Sequence, residues 1–305
     1  MAKYEYDALV IGGGAAGLTT AGIAANFGAK TMMIEKYRLG GDCTWTGCVP
    51  SKTLLKAASV VHQTEQAGKY GLTVGKVELD PAAVMKHVDD VRREVYKDAD
   101  DPEIFKEMGI DVVEGSAGFV DDHTVKITDS KGLQREVTGK YIFICTGASA
   151  FVPPIEGIDT VDYLTNESLF EIESMPGKLV IIGGGPIGSE MAQAFVRLGT
   201  DVDVVDMAPG ILSNDDPELT TILKSTLAEE GVTYYLESSL KSVAKSGGGL
   251  TVTIEQDGDE TVRESNSSFS DVKRRGSHSS SLAGSSKEMH QLSTAERESL
   301  VRVSK

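Results

Sequence analysis

Residues Gly40–Lys52 read Gly-Gly-Asp-Cys-Thr-Trp-Thr-Gly-Cys-Val-Pro-Ser-Lys and hold two of the chain's three cysteines, Cys43 and Cys48, with four residues between them. Pro50 follows Cys48 by two positions, and proline is favoured in the first turn of a helix, where its missing N–H costs nothing. Ser51–Val61 read as that helix. Cys48 then lies at or just before a helix N-terminus, whose partial positive charge stabilises a thiolate. Lys52 adds a cation one turn on. The arrangement suits a disulfide that opens and closes during turnover. The alternative is a pair of buried thiols, since cysteine often serves as a small core residue; the glycines, the helix start and the lysine agree on the redox reading. Metal binding is the weaker chemistry, because no histidine or second cysteine pair lies nearby at ligand spacing.

A chain of 305 residues has room for about two domains. With 40% hydrophobic and 25% charged residues it has the composition of a soluble globular protein. A formal net charge of −16 gives a nucleic-acid role no electrostatic support. The cysteine usage does not make a secreted disulfide framework. Ala8–Ala29 carries no charge, but glycines interrupt it, and Glu5 and Asp7 precede it where a signal peptide would be basic. It reads as a buried strand, Tyr6–Ile11, and a small-residue helix, Ala15–Asn26, and not as a membrane span. The expected location is cytoplasmic.

Those two elements flank Gly12-Gly13-Gly14-Ala15-Ala16-Gly17, a Gly-x-Gly-x-x-Gly. Gly12 permits the tight turn, Gly14 lets backbone approach a pyrophosphate, and Gly17 lets helix and strand pack closely. The next strand, Lys30–Ile34, ends at Glu35, which can accept hydrogen bonds from an adenosine ribose. The design repeats later in the chain. Strand Leu179–Ile182 leads into Gly183-Gly184-Gly185-Pro186-Ile187-Gly188, helix Ser189–Leu198, and a strand, Asp201–Val205, ending at Asp206. Two such units imply two nucleotides. A carboxylate at Asp206 pairs with a free ribose 2′-OH and repels a 2′-phosphate, and no arginine follows between Met207 and Glu218. NAD(H) is therefore expected over NADP(H). Pro153-Pro154 and Gly157 mark a linker, which places a domain boundary near Ala150.

The first fingerprint, Glu35, and Gly-Gly-x-Cys-x-x-x-x-Cys-Val-Pro-Ser-Lys together resemble the pyridine nucleotide-disulfide oxidoreductases, which include dihydrolipoamide dehydrogenase, glutathione reductase and mercuric reductase. The resemblance covers about residues 4–262. It implies an α/β chain of two Rossmann-like domains: an FAD-binding part over 1–150 and an NAD(P)-binding part over 151–263. It implies that Cys43 exchanges with substrate, that Cys48 faces the flavin, and that Lys52 lies beside the ring and pairs with Glu190. Gly12, Gly14, Ala15, Gly17, Glu35, Gly41, Ala117, Thr146 and Gly147 would contact FAD. Gly183, Gly185, Ile187, Gly188, Asp206 and Leu240 would contact the second dinucleotide. Pro186 stands where some relatives carry a gating tyrosine. Electrons would pass from NAD(P)H through FAD to Cys43–Cys48 and on to a small-molecule disulfide or metal-thiol substrate.

Other features read as structural. Cys145 is expected to be a core thiol, and His62 and His87 packing or surface residues. Pro81–Met108 reads as a charged helical stretch without chemistry. No further strand is expected after Val262. Residues 264–305 are serine-rich and poor in large apolar side chains, and read as a disordered tail. The family's dimerisation domain, which would support a homodimer, is not recognised. Two other readings stand beside the enzyme: a truncated product that at most binds FAD and NAD, and a nucleotide-binding regulatory subunit.

Overall fold

A computed structural model describes residues 3–246, 249–265, 267–270 and 275–276. The elements begin with β1 (Tyr6–Ile11), α1 (Ala15–Asn26), β2 (Thr31–Glu35), α2 (Gly41–Trp45), α3 (Cys48–Glu65) and α4 (Pro81–Val95). A π-helical turn (Tyr96–Asp100), α5 (Pro102–Glu107), β3 (Asp111–Glu114), β4 (Ser116–Phe119), β5 (Thr124–Thr128), β6 (Gln134–Ile144) and β7 (Ala148–Ser149) follow. Then come α6 (Asn166–Leu169), β8 (Lys178–Ile182), α7 (Pro186–Arg197), β9 (Asp201–Val205) and α8 (Pro217–Glu229). The last are β10 (Thr233–Tyr235), β11 (Ser239–Ser246), β12 (Gly249–Gln256), β13 (Asp259–Ser265) and β14 (Ser267–Ser270).

The chain divides into two compact units: Met1–Trp45 with Arg93–Ser149 and Arg275–Lys305, and Thr46–Arg92 with Ala150–Arg274. In the first, six strands lie in the order β3-β2-β1-β6-β5-β4. β1 pairs in parallel with both β2 and β6, and β5 pairs antiparallel with β4 and β6. Alternation along each strand sends its side chains to opposite faces. Leu9, Ile11, Met32 and Ile34 join one buried cluster, while Val10 and Met33 join another with Ala21 of α1 and Phe105 of α5. Both faces are covered, which is why these strands read as unbroken apolar runs.

The second unit is built on a four-stranded parallel sheet, β10-β9-β8-β14. Leu179, Ile181, Val202 and Val204 face a cluster formed with α3, α4, α7 and α8. Val180 and Val205 face a second cluster with Leu240, Val243, Val252 and Ile254 from the antiparallel sheet β11-β12-β13. Arg263 of β13 anchors that sheet by donating to the buried Asp203 of β9 at 3.0 and 3.2 Å.

The stretch from Pro81 to Met108 is helical as expected, built from α4, the π turn and α5, which the Asp101 side chain caps. One expectation needs correction. A strand does follow Val262, since Ser267–Ser270 pairs in parallel with Leu179–Ile182. Its Ser-Ser-Phe-Ser sequence lacks an apolar pattern, and the pairing is made by backbone, which sequence periodicity does not report. Of the tail expected to be disordered, Glu264 and Ser265 end β13 and Arg275–Gly276 pairs with Ala148–Ser149; its remaining residues, apart from β14, lie outside the described residues.

Candidate functional site

The first glycine turn is set by close backbone packing. Gly12 has φ +106°, and a β-carbon there would lie 2.2 Å from the Cys145 carbonyl oxygen; at Gly17 it would lie 1.8 Å from the Gly12 carbonyl oxygen. Gly14 caps α1 with no side-chain hydrogen bond, and Ala15 and Ala16 at the helix start are exposed. A helix opening of this kind presents backbone N–H groups and a partial positive charge to an anion. The Glu35 carboxylate accepts from the Gly13 N–H at 2.6 Å and from the Tyr37 N–H at 2.7 Å. The Gly40 N–H donates to the Gly13 carbonyl at 2.9 Å. Gly41, at φ +56°, lies so near Gly14 that a β-carbon would approach its Cα to 2.6 Å.

The second turn repeats this construction bond for bond. Gly183 has φ +105° and Gly185 caps α7 with extended backbone, again without a side-chain cap. The Asp206 carboxylate accepts from the Gly184 N–H at 2.6 Å and from the Ala208 N–H at 2.7 Å. The Leu212 N–H donates to the Gly184 carbonyl at 2.8 Å, as Gly40 does to Gly13. Gly188 is buried and Ile187 packs against the unit's main cluster. Each turn thus offers what a dinucleotide pyrophosphate and ribose require: a glycine cradle, a bare helix start and a carboxylate fixed at the end of the second strand.

The cysteines continue from the first turn. Cys43 is half-buried in α2, which starts on Gly41; Cys48 is exposed and is the first residue of α3, whose N-cap, Gly47, contributes no side-chain bond. Both carry thiols in this structure. Lys52, one turn into α3, donates to both Glu190 oxygens on α7, at 2.7 and 2.8 Å. This is the contact the resemblance implied.

The other candidates are dispersed over their units. Ala117 sits on β4 beside the first unit's core, and Thr146 and Gly147 form the exposed turn after β6, with Gly147 at φ +69°. Leu240 is buried in the meander core at a register shift of β11. Cys145 is half-buried beneath the first turn, and burial pushes its thiol up while a hydrogen bond to Thr20 opposes that. His62 lies 3.8 Å from Glu230 and His87 is exposed.

Among the described residues three buried charged side chains went unread in the sequence: Asp203, which Arg263 holds, Arg92 and Asp100. Arg92, 2% exposed, bonds Asp89 at 2.7 Å and Glu171 at 2.8 Å. Asp100, also buried, accepts from the Thr44 hydroxyl at 2.5 Å. Only position pointed to Arg92: it falls four residues after Val88, on the stripe that buries Met85 and Val88. Among the described residues no group of three or more His, Cys, Asp or Glu side chains could hold a metal ion. No described helix is long and apolar enough to cross a membrane.

Residues 6–266 match the family model described as pyridine nucleotide-disulphide oxidoreductase. The chain belongs to that family. It is 35% identical to a mercuric reductase of Lysinibacillus sphaericus over 86% of this chain and 47% of that protein. It is 33% identical to a mitochondrial dihydrolipoyl dehydrogenase of Pisum sativum over 85% of this chain and 52% of that one. A solved structure of the HOCl-induced flavoprotein disulfide reductase RclA from Escherichia coli, a Cu(II) complex of a cysteine mutant, superposes with a TM-score of 0.78 at 26% identity, covering 92% of this chain and 58% of that one. The family member described here therefore spans about half the length of the curated relatives it matches.

Proposed function

We propose that the chain carries the nucleotide-binding and disulfide half of a flavin-dependent oxidoreductase that moves electrons from NADH to a redox-active Cys43–Cys48 pair, and from there to a small-molecule disulfide or metal-thiol compound. FAD, when bound, supplies the two-electron relay between dinucleotide and sulfur. The observation that carries this reading is continuity of chain: the backbone that closes the first phosphate turn, Gly40-Gly41, is also the start of the helix that holds Cys43. Gly12, Gly14, Ala15, Gly17 and Glu35 would hold the adenosine diphosphate of FAD, and Gly183, Gly185, Gly188 and Asp206 that of the nicotinamide cofactor. Lys52, fixed by Glu190, would hold a positive charge one turn from Cys48. The carboxylate of Asp206 supports NAD(H) over NADP(H). The names of the relatives support the substrate class, in which a thiolate attacks a disulfide or a thiol-bound metal ion.

The test is thiol counting in the purified chain, reconstituted with FAD and kept anaerobic. Addition of NADH is expected to convert one disulfide to two alkylatable thiols, mapped by mass spectrometry to Cys43 and Cys48, and Cys48→Ser is expected to abolish the gain. A chain that binds both nucleotides with no change at either cysteine is a binding module, and the proposal fails.

A further inference from the structure

Helix α2 is five residues long, Gly41–Trp45. A helix of that length cannot hold itself in water, so its direction depends on what grips it. Two consecutive side chains, Thr44 and Trp45, are buried at 4% and 6% exposure, and both are gripped by the π turn Tyr96–Asp100. The Trp45 ring packs against Tyr96 with centroids 5.1 Å apart and planes tilted by 49°, and its indole N–H donates to the Leu39 carbonyl at 2.8 Å. The Thr44 hydroxyl donates to Asp100 Oδ2 at 2.5 Å. The same oxygen is pressed over Gly40, where a β-carbon would come within 2.6 Å of it. π turns of this kind recur at functional sites, where they re-aim side chains within an otherwise α-helical run.

Asp100 therefore touches the chain on both sides of Cys43: at Gly40, three residues before, and at Thr44, one residue after. We infer that Asp100 is a positioning residue for Cys43, fixing through the Thr44 hydroxyl the direction in which the Cys43 sulfur leaves α2. This rests on the reading of Cys43 and Cys48 as a redox pair. A disulfide demands narrow geometry, and departures from it make the bond more reducible. Freeing α2 lowers the effective concentration of one sulfur for the other, which shifts the pair toward the dithiol.

The test equilibrates the purified chain in glutathione buffers. There Cys43 and Cys48 give up two electrons and two protons to glutathione disulfide, which becomes two glutathione molecules, and the chain's sulfurs form one bond. The oxidised fraction is read by alkylation and peptide mass mapping, which separates Cys145. Asp100→Ala and Thr44→Val are each expected to weaken the disulfide about tenfold, a rise of about 30 mV in potential. Thr44→Ser, which keeps the hydroxyl, is expected to match the parent. Disulfide equilibrium constants of Asp100→Ala and Thr44→Val within twofold of the parent, with only a lowered melting temperature, would make Asp100 a merely structural acid and overturn the inference. If Asp100→Ala does not fold, the Thr44→Val and Thr44→Ser pair decides alone. A parent chain that forms no Cys43–Cys48 disulfide at any poise sinks the function proposed above instead.

Discussion

Glu35 and Asp206 do the same local work in different units: each takes a glycine N–H from its fingerprint turn and the N–H two residues downstream. Each carboxylate is thereby aimed before any ligand arrives, which removes part of the ordering cost of binding. Two outcomes follow at this scale. In Gly17→Ala the new methyl group would lie 1.8 Å from a backbone oxygen that cannot rotate away. Overpacking costs about 1–3 kcal/mol, so a lowered denaturation midpoint and lost FAD retention on gel filtration are expected. Parent-like values for both would refute the close-packing account. Asp206→Ser should lower the preference for NADH over NADPH by about tenfold, roughly 1.4 kcal/mol. The ratio of dissociation constants measures it, and an unchanged ratio would show that the discrimination lies elsewhere.

At the scale of elements, the βαβ units were plain in the sequence because their signals are local: apolar runs, glycines at fixed offsets, an acidic residue closing the next strand. The Lys52–Glu190 contact came from resemblance alone, since a glutamate on a helix face has no local mark of a partner. Arg92 and Asp100 stayed hidden for a different reason. They lie in a run so rich in charge that it reads as a solvated face, and only tertiary packing shows which charges turn inward. Glu230, just past α8, is a third such case, holding Arg197 at the end of α7 through two bonds of 2.6 and 2.7 Å. The Arg197 hydrogen bond holds the Glu230 carboxyl below its ordinary value of 4.5, with burial opposing. A folded-state value below the unfolded one means stability that is present above pH about 4.5 and lost as pH falls through the folded value. Glu230→Gln should therefore melt lower than the parent near neutrality, with the gap closing below pH about 4.5. A gap that persists unchanged to pH about 3 would show that the ion pair is not its source.

At the scale of the molecule, the chain carries a net charge of −16, yet its proposed cofactors are themselves anions. Long-range repulsion opposes their approach, so the attraction must be short-ranged. Neither fingerprint, Gly12–Gly17 or Gly183–Gly188, contains a lysine or arginine. The positive field at each turn comes from backbone N–H groups at the bare starts of α1 and α7, and such fields act within the first turn of a helix. Salt discriminates between the two ranges. Raising ionic strength from about 0.01 M to about 0.15 M shortens the screening length from about 30 Å to about 8 Å. That damps repulsion from the acidic surface and leaves contacts at 3 Å, the scale of a hydrogen bond, almost untouched. The affinities for FAD and NADH, measured by fluorescence titration, should accordingly stay level or rise over this range. A fall of about tenfold would mean that side-chain cations capture the phosphates, and the glycine turns would lose the role assigned to them.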